Sequence, residues 1–164
     1  MRRRRGPLAV LAALVLTVPG LLGAGPDGSG ETIGLAGNAP GEHLDVTLVQ
    51  VVDPATPGTG APAGADRLVA VRFRLENTGS ARYEDSPAAS AHLLDSGGRR
   101  FDALTGADAV TTAGESFPGT VTLDPGSTST GFVTFRLTEE SPPAAVQFAL
   151  NGGLADDVGQ WSLF

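Results

Sequence analysis

Residues 67–80, RLVAVRFRLENTGS, decide the architecture of this chain. Val69, Val71, Phe73 and Leu75 fall on one parity, and Arg72, Arg74 and Glu76 on the other. Alternation with period two over this length describes a strand with one buried and one solvated face. Asn77-Thr78-Gly79-Ser80 then supplies turn chemistry and ends the run.

Reading outward, the same grammar repeats. Upstream, Leu44 to Val52 (LDVTLVQVV) places Leu44, Val46 and Leu48 on one face, with Val49 and Val51 on the other. That switch predicts a bulge or a strand covered on both sides. Residues 53–66, DPATPGTGAPAGAD, are too rich in proline and glycine for regular structure and are expected to form a long loop. Downstream, strands are expected over Ala89 to Leu94 and Arg99 to Leu104, joined by a hairpin turn at Asp95-Ser96-Gly97-Gly98. Ala109 to Thr112 suggests an edge strand, and Phe117 to Leu123 and Thr130 to Leu137 flank the turn Asp124-Pro125-Gly126-Ser127. Val146, Phe148 and Leu150 mark a further strand, and Gln160 to Phe164 a last short one carrying Trp161.

Short strands with turn signals between them, and no amphipathic helix, predict an all-β fold. The expectation is an immunoglobulin-like antiparallel β-sandwich of seven to nine strands over residues 42–164. The inward candidates are Val46, Leu48, Val69, Val71, Phe73, Leu75, Phe117, Val121, Leu123, Val133, Phe135, Leu137, Val146, Phe148 and Leu150. At roughly 1.5–3 kcal/mol each when buried, they suffice for one core.

Several of these landmarks together resemble an exported bacterial family of unknown function: VVDP before the proline-rich loop, RLVAVRFRLENTGS, YEDSP, GESFPGTVTLDPGSTSTGFVTFRL, and AVQFAL before a terminal Trp. The resemblance covers about residues 42–164. It implies an immunoglobulin-like sandwich, similar in architecture to a secreted immunogenic antigen of actinobacteria, and it brings no catalytic residues.

The start of the chain points to export. Arg2 to Arg5 precede an uncharged run from Gly6 to Pro26, whose apolar part spans Leu8 to Leu22. Its length suits a secretory signal and falls short of the ~20 apolar residues that cross a bilayer. Residues 1–24 are therefore expected to be a signal peptide, or an N-terminal anchor if the small residues Gly23, Ala24 and Gly25 are not cut. Residues 25–41, GPDGSGETIGLAGNAPG, read as a flexible spacer. The expected location is secreted, or the outer face of the cytoplasmic membrane. Any membrane contact would then run through a retained N-terminus.

All 11 basic residues are arginine, against 18 acidic ones, and the formal charge is −7. Loss of Arg2 to Arg5 would deepen it to −11. Such a surface repels phosphate backbones and disfavours nucleic acid as a partner. The absence of cysteine removes disulfides, thiol chemistry, a lipid-bearing cysteine and thiolate zinc sites.

No catalytic, cofactor-binding or metal-binding set is legible. The two histidines, His43 and His92, lack paired-ligand spacing, and His92 reads as an outward polar residue of a strand. Ser116 in Gly114-Glu115-Ser116-Phe117-Pro118 lacks the second glycine and the following helix of a nucleophile elbow. Asp53, Glu84 and Asp85 are acids in expected loops, and a Ca²⁺ ion bridging two loops is the one metal site to test. Three functions are carried forward: an extracellular binding module, which could recognise partners by strand addition at a sheet edge, a structural spacer domain, and a hydrolase using two carboxylates.

Overall fold

The computed structural model describes residues 28–58 and 66–163. The expected signal or anchor, residues 1–24, lies outside them, and among the described residues no helix is long and apolar enough to cross a membrane. The strands run β1 (Thr32–Ala36), β2 (His43–Ala55), β3 (Arg67–Asn77), β4 (Tyr83–Asp85), β5 (Ala91–Asp95), β6 (Arg100–Asp102), β7 (Val121–Leu123), β8 (Thr128–Leu137), β9 (Pro143–Ala149) and β10 (Val158–Ser162). Two single-turn helices, α1 (Pro87–Ser90) and α2 (Leu150–Gly153), interrupt them.

One sheet has the order β1-β2-β3-β8 and the other β10-β9-β5-β6, with β4 and β7 forming a short third ribbon. Every strand pair is antiparallel. The fold is thus the all-β, immunoglobulin-like sandwich that the strand grammar implies, with ten strands among the described residues where seven to nine were expected, the first of them before residue 42. The strand β3 is central to its sheet, and its alternation is realised: Val69, Val71, Phe73 and Leu75 are fully buried. Phe73 sits edge-on to both Phe148 and Trp161, with centroids 5.5 Å apart in each pair. Of the inward candidates, only Phe117 is merely half-buried, because Pro118-Gly119 delays the strand until Val121.

The switch of parity in β2 is a bulge: Leu48 pairs with Phe73 and Gln50 with Arg72, leaving Val49 at 38% exposure between them. The second expectation for this strand also holds. Ala55, Leu68, Ala70 and Phe132 form a small cluster on the outer face, covered by Leu104 and Ala113. The outer face of β3 is therefore wet only at Arg72, Arg74 and Glu76.

Several boundaries differ from the sequence expectation. Residues 28–41 are not a free spacer. Within them β1 pairs along β2 from Thr32↔Thr47 to Ala36↔His43, and Leu35 is fully buried. The backbone carbonyl of Glu31 accepts the indole N–H of Trp161 at 3.0 Å. Ile33 and Leu35 carry the alternation, and the surrounding glycines mask it. Residues 53–55, expected in the loop, continue β2, since a register shift after Val52 lets Ala55 pair with Leu68 past Pro54. The expected start of β5 is instead α1, whose Ser86 side chain caps Ala89 N–H, with Pro87 in the first turn. The edge strand expected over Ala109 to Thr112 is reduced to isolated antiparallel bridges of Thr111 with Pro57 and Gly114 after a 3₁₀ turn at Gly106–Ala109, and Leu150 opens α2 because Asn151 and Gly152 take left-handed φ of 56° and 64°.

The edges of the sandwich are partly occupied. Leu104 N–H donates to Thr134 O at 2.8 Å, and Phe132 exchanges backbone bonds with Glu115 and Phe117 along β8. On the other side, Asp157 accepts Ala36 N–H at 2.8 Å. Strand addition at β8 is blocked over these residues.

Candidate functional site

One end of the sandwich gathers the start of β2, the loop after β3, β4 and α2 around a cleft of about 80 Å³. Its wall includes Glu42, His43, Tyr83, Asp85, Leu150 and Asn151. Each is held by local structure. Asn77, 1% exposed, donates through Nδ2 to Ala81 O and Leu123 O and accepts Gly79 N–H, which fixes the loop leading to β4. Asp85 ties together the two helical turns. Its Oδ1 accepts Ser86 N–H at 2.8 Å, and its Oδ2 accepts Gly152 N–H at 2.9 Å and Ser90 Oγ–H at 3.2 Å. The left-handed turn at Asn151-Gly152 is what brings that N–H to the carboxylate. Glu42 Oε2 accepts Ala39 N–H at 3.1 Å and Asn151 Nδ2–H at 3.3 Å, while Asn151 Oδ1 accepts Asn38 N–H at 2.9 Å. The His43 ring meets Thr78 Oγ1 through Nδ1.

Tyr83 is the unusual member. It is 7% exposed and packs with the main core, yet its hydroxyl is fully covered and has no hydrogen-bond partner among the described residues. Burial, with a smaller contribution from the Asp85 carboxylate, pushes the phenol well above its ordinary value, so it stays protonated. A covered hydroxyl without a partner costs roughly 1–3 kcal/mol of stability. Tyr83 and Asp85 are two apart in β4 and share one face, whereas Glu84 points the other way and is exposed. Arg82 and Glu84 also border the cleft, so the wall carries a cation beside its acids; Arg82 Nε lies 3.6 Å from Asp124 Oδ1.

The three acids considered for Ca²⁺ do not come together. Asp53 sits ten residues along β2 from His43, roughly 30 Å at strand rise. There it pairs with Arg67, 3.1 Å from Nε, instead of facing Glu84 and Asp85. Among the described residues no three acidic or histidine side chains converge on a point that could hold a metal. Ser116 Oγ–H donates to Ala109 O at 3.2 Å. His92 lies on the outer face of β5, opposite the buried Ala91 and Leu93, but its side chain is largely covered, at 13% exposure, with Nε2 3.3 Å from Asp102 Oδ1.

A second concavity runs beside α1, as two adjoining depressions of about 350 and 340 Å³ that share Ser86, Ala88 and Thr105. The larger is floored by Phe117 and Phe132, and the smaller holds the His92–Asp102 pair.

Sequence reasoning placed Asp85 among the candidates and missed Tyr83, Glu42 and Asn151. The available signal was the chain's single tyrosine set directly before an acidic pair in YEDSP.

No protein-family model matches the chain, and no curated protein matches it. Among solved structures, a secreted protein of Mycobacterium tuberculosis, MPT63, is similar over 81% of this chain and 92% of its own, at 18% identity and a TM-score of 0.57. The ycdA protein of Bacillus subtilis is similar over 78% of this chain and 38% of its own, at 11% identity and a TM-score of 0.55. The fold is therefore one shared with a secreted actinobacterial protein, as the landmark residues imply.

Proposed function

We propose that this chain is a non-catalytic extracellular or cell-envelope protein whose immunoglobulin-like domain binds a partner through its Tyr83 end. The observation that carries this reading is the covered, unpaired Tyr83 hydroxyl beside a cleft built by three separate segments. A fold that needed only to be a spacer would gain stability by carrying phenylalanine there. The export signal read in residues 1–24 and the secreted structural neighbour support the location.

Carboxylate chemistry is disfavoured by the bonds at the cleft. A hydrolase of that type needs one acid to present a proton and a second to act opposite it. Both oxygens of Asp85 already accept hydrogen bonds, and Glu42 Oε2 accepts two.

The test is cross-linking of the purified protein to envelopes of its source organism, alongside Ala81→Trp, which plugs the cleft mouth. Capture of a defined species by the parent, lost in A81W, is the expected result. No species captured by the parent, or capture indifferent to A81W, refutes the reading and leaves the spacer function.

A further inference from the structure

We infer that Asn151 is a site of spontaneous deamidation that the fold holds in check, and that its conversion to an acid unfastens this end of the sandwich. The inference stands apart from any partner bound there. Asn151-Gly152 is the one Asn-Gly pair in the chain; Asn38 precedes Ala39 and Asn77 precedes Thr78. In such a pair the Gly152 nitrogen, once it has lost its proton to solvent base, attacks Asn151 Cγ. The new N–C bond closes a succinimide, and the side-chain nitrogen leaves as ammonia. Water then opens the ring at one of its two carbonyls, giving aspartate or isoaspartate. Glycine favours the closure because no Cβ crowds the attacking nitrogen. Asn151 is exposed, so water reaches the ring, whereas Asn77 is buried.

Three hydrogen bonds oppose the first step. Gly152 N–H donates to Asp85 Oδ2 at 2.9 Å, and losing that proton would set a second negative charge against the carboxylate. Asn151 Oδ1 accepts Asn38 N–H at 2.9 Å, and Asn151 Nδ2 donates to Glu42 Oε2 at 3.3 Å. The side chain is thus held at both of its polar atoms by residues 38–42, and Cγ cannot swing to the Gly152 nitrogen without giving up these bonds. The same bonds make conversion consequential, since they tie residues 38–42 to α2. Aspartate at 151 sets a negative charge against Glu42 where an N–H donor now stands. Isoaspartate adds a carbon to the main chain at a left-handed residue of φ 56° and ψ 47°, which displaces Gly152 N–H from Asp85.

The experiment incubates the purified protein at mildly alkaline pH, folded and in urea, and follows each asparagine by peptide-mapping mass spectrometry. In urea Asn151 should convert ahead of Asn38 and Asn77. In the folded protein it should convert about tenfold more slowly than in urea, or slower still. Glu42→Ala, which frees the Asn151 amide, should speed folded-state conversion about threefold, and Asp85→Ala, which frees Gly152 N–H, about tenfold. Both are compared as proteins whose circular dichroism matches the parent. The aged protein and Asn151→Asp should each unfold at lower urea than the fresh parent. Equal rates folded and in urea, faster conversion at Asn38 or Asn77, or a rate no faster than the parent's in either folded variant overturns the restrained site. An unchanged urea midpoint in the aged protein or in N151D overturns the unfastening.

Discussion

Replacing Tyr83 with phenylalanine should make this protein more stable. The hydroxyl is covered and unpaired among the described residues, so its removal relieves roughly 1–3 kcal/mol of desolvation. Against this stands the void left by one oxygen, roughly 12 Å³, which at about 24 cal/mol per Å³ costs about 0.3 kcal/mol. The ring stays in the core with Leu123 and Val121 across the β4–β7 ribbon, so little else changes. The net expectation is a gain of about 1–2.5 kcal/mol, or a rise in Tm of about 3–8 °C for a domain of this size. Urea unfolding of parent and variant, with equal slopes required, measures it directly. A Y83F protein less stable than the parent by 0.5 kcal/mol or more, on the ~1 kcal/mol scale of one hydrogen bond, would refute the reasoning. It would mean that the hydroxyl is already satisfied by water and that the fold bears no cost there.

Other contacts in the sandwich lead to further expectations. Leu35→Ala should cost about 2–5 kcal/mol in urea unfolding, since Leu35 is fully buried in β1; a cost under ~0.5 kcal/mol would restore residues 28–41 to a spacer. Asp85→Asn should cost about 1.5–3 kcal/mol, because one carboxylate holds Ser86 and Gly152 N–H groups and the Ser90 hydroxyl at once. His92 is held below its ordinary 6.5 by burial first and by Arg100 second, with Asp102 opposing. Its folded-state value is thus the lower one, so the unfolded chain binds the proton more readily. The stability it contributes is complete above 6.5 and falls as pH drops from there toward the lowered value. His92→Gln should flatten that part of the pH profile of the urea midpoint, and an unchanged profile would exclude His92 as its source.

Where the sequence was legible, a single periodicity governed the physics. The residues of β3 alternate cleanly from Val71 to Glu76 because the strand lies inside its sheet, with one face on the core and this part of the other in water. β1 was illegible for a different reason. Its apolar signal is Ile33 and Leu35 alone, set among glycines whose composition argues for a linker. Only the long-range partners, β2 and the Trp161 indole, make it a strand. The same holds for α2: Leu150 continues the alternation of β9, and the left-handed turn at Asn151 breaks it only because Gly152 N–H has Asp85 to reach.

The candidate site was harder still, because its members come from positions 42, 83, 85 and 151, and no spacing along the chain relates them. Asp85 was visible as an acid, but its neighbour Glu84 looked equivalent. The strand β4 separates the two by parity: Asp85 turns in to accept the Ser86 and Gly152 N–H groups, while Glu84 borders the cleft from the exposed face. Asp53 looked equivalent too, until β2 carried it to the far end and gave it Arg67. Charge alone therefore could not rank these acids; the pairing of strands did. Tyr83 was hidden by its type, since a lone tyrosine in an apolar pattern reads as core, and its ring is core. What distinguishes it is the one atom beyond the ring. A sandwich that buries this much apolar surface can bear the cost of a covered hydroxyl with no partner among the described residues, so the ring serves the core while the oxygen adds nothing to the stability of the fold.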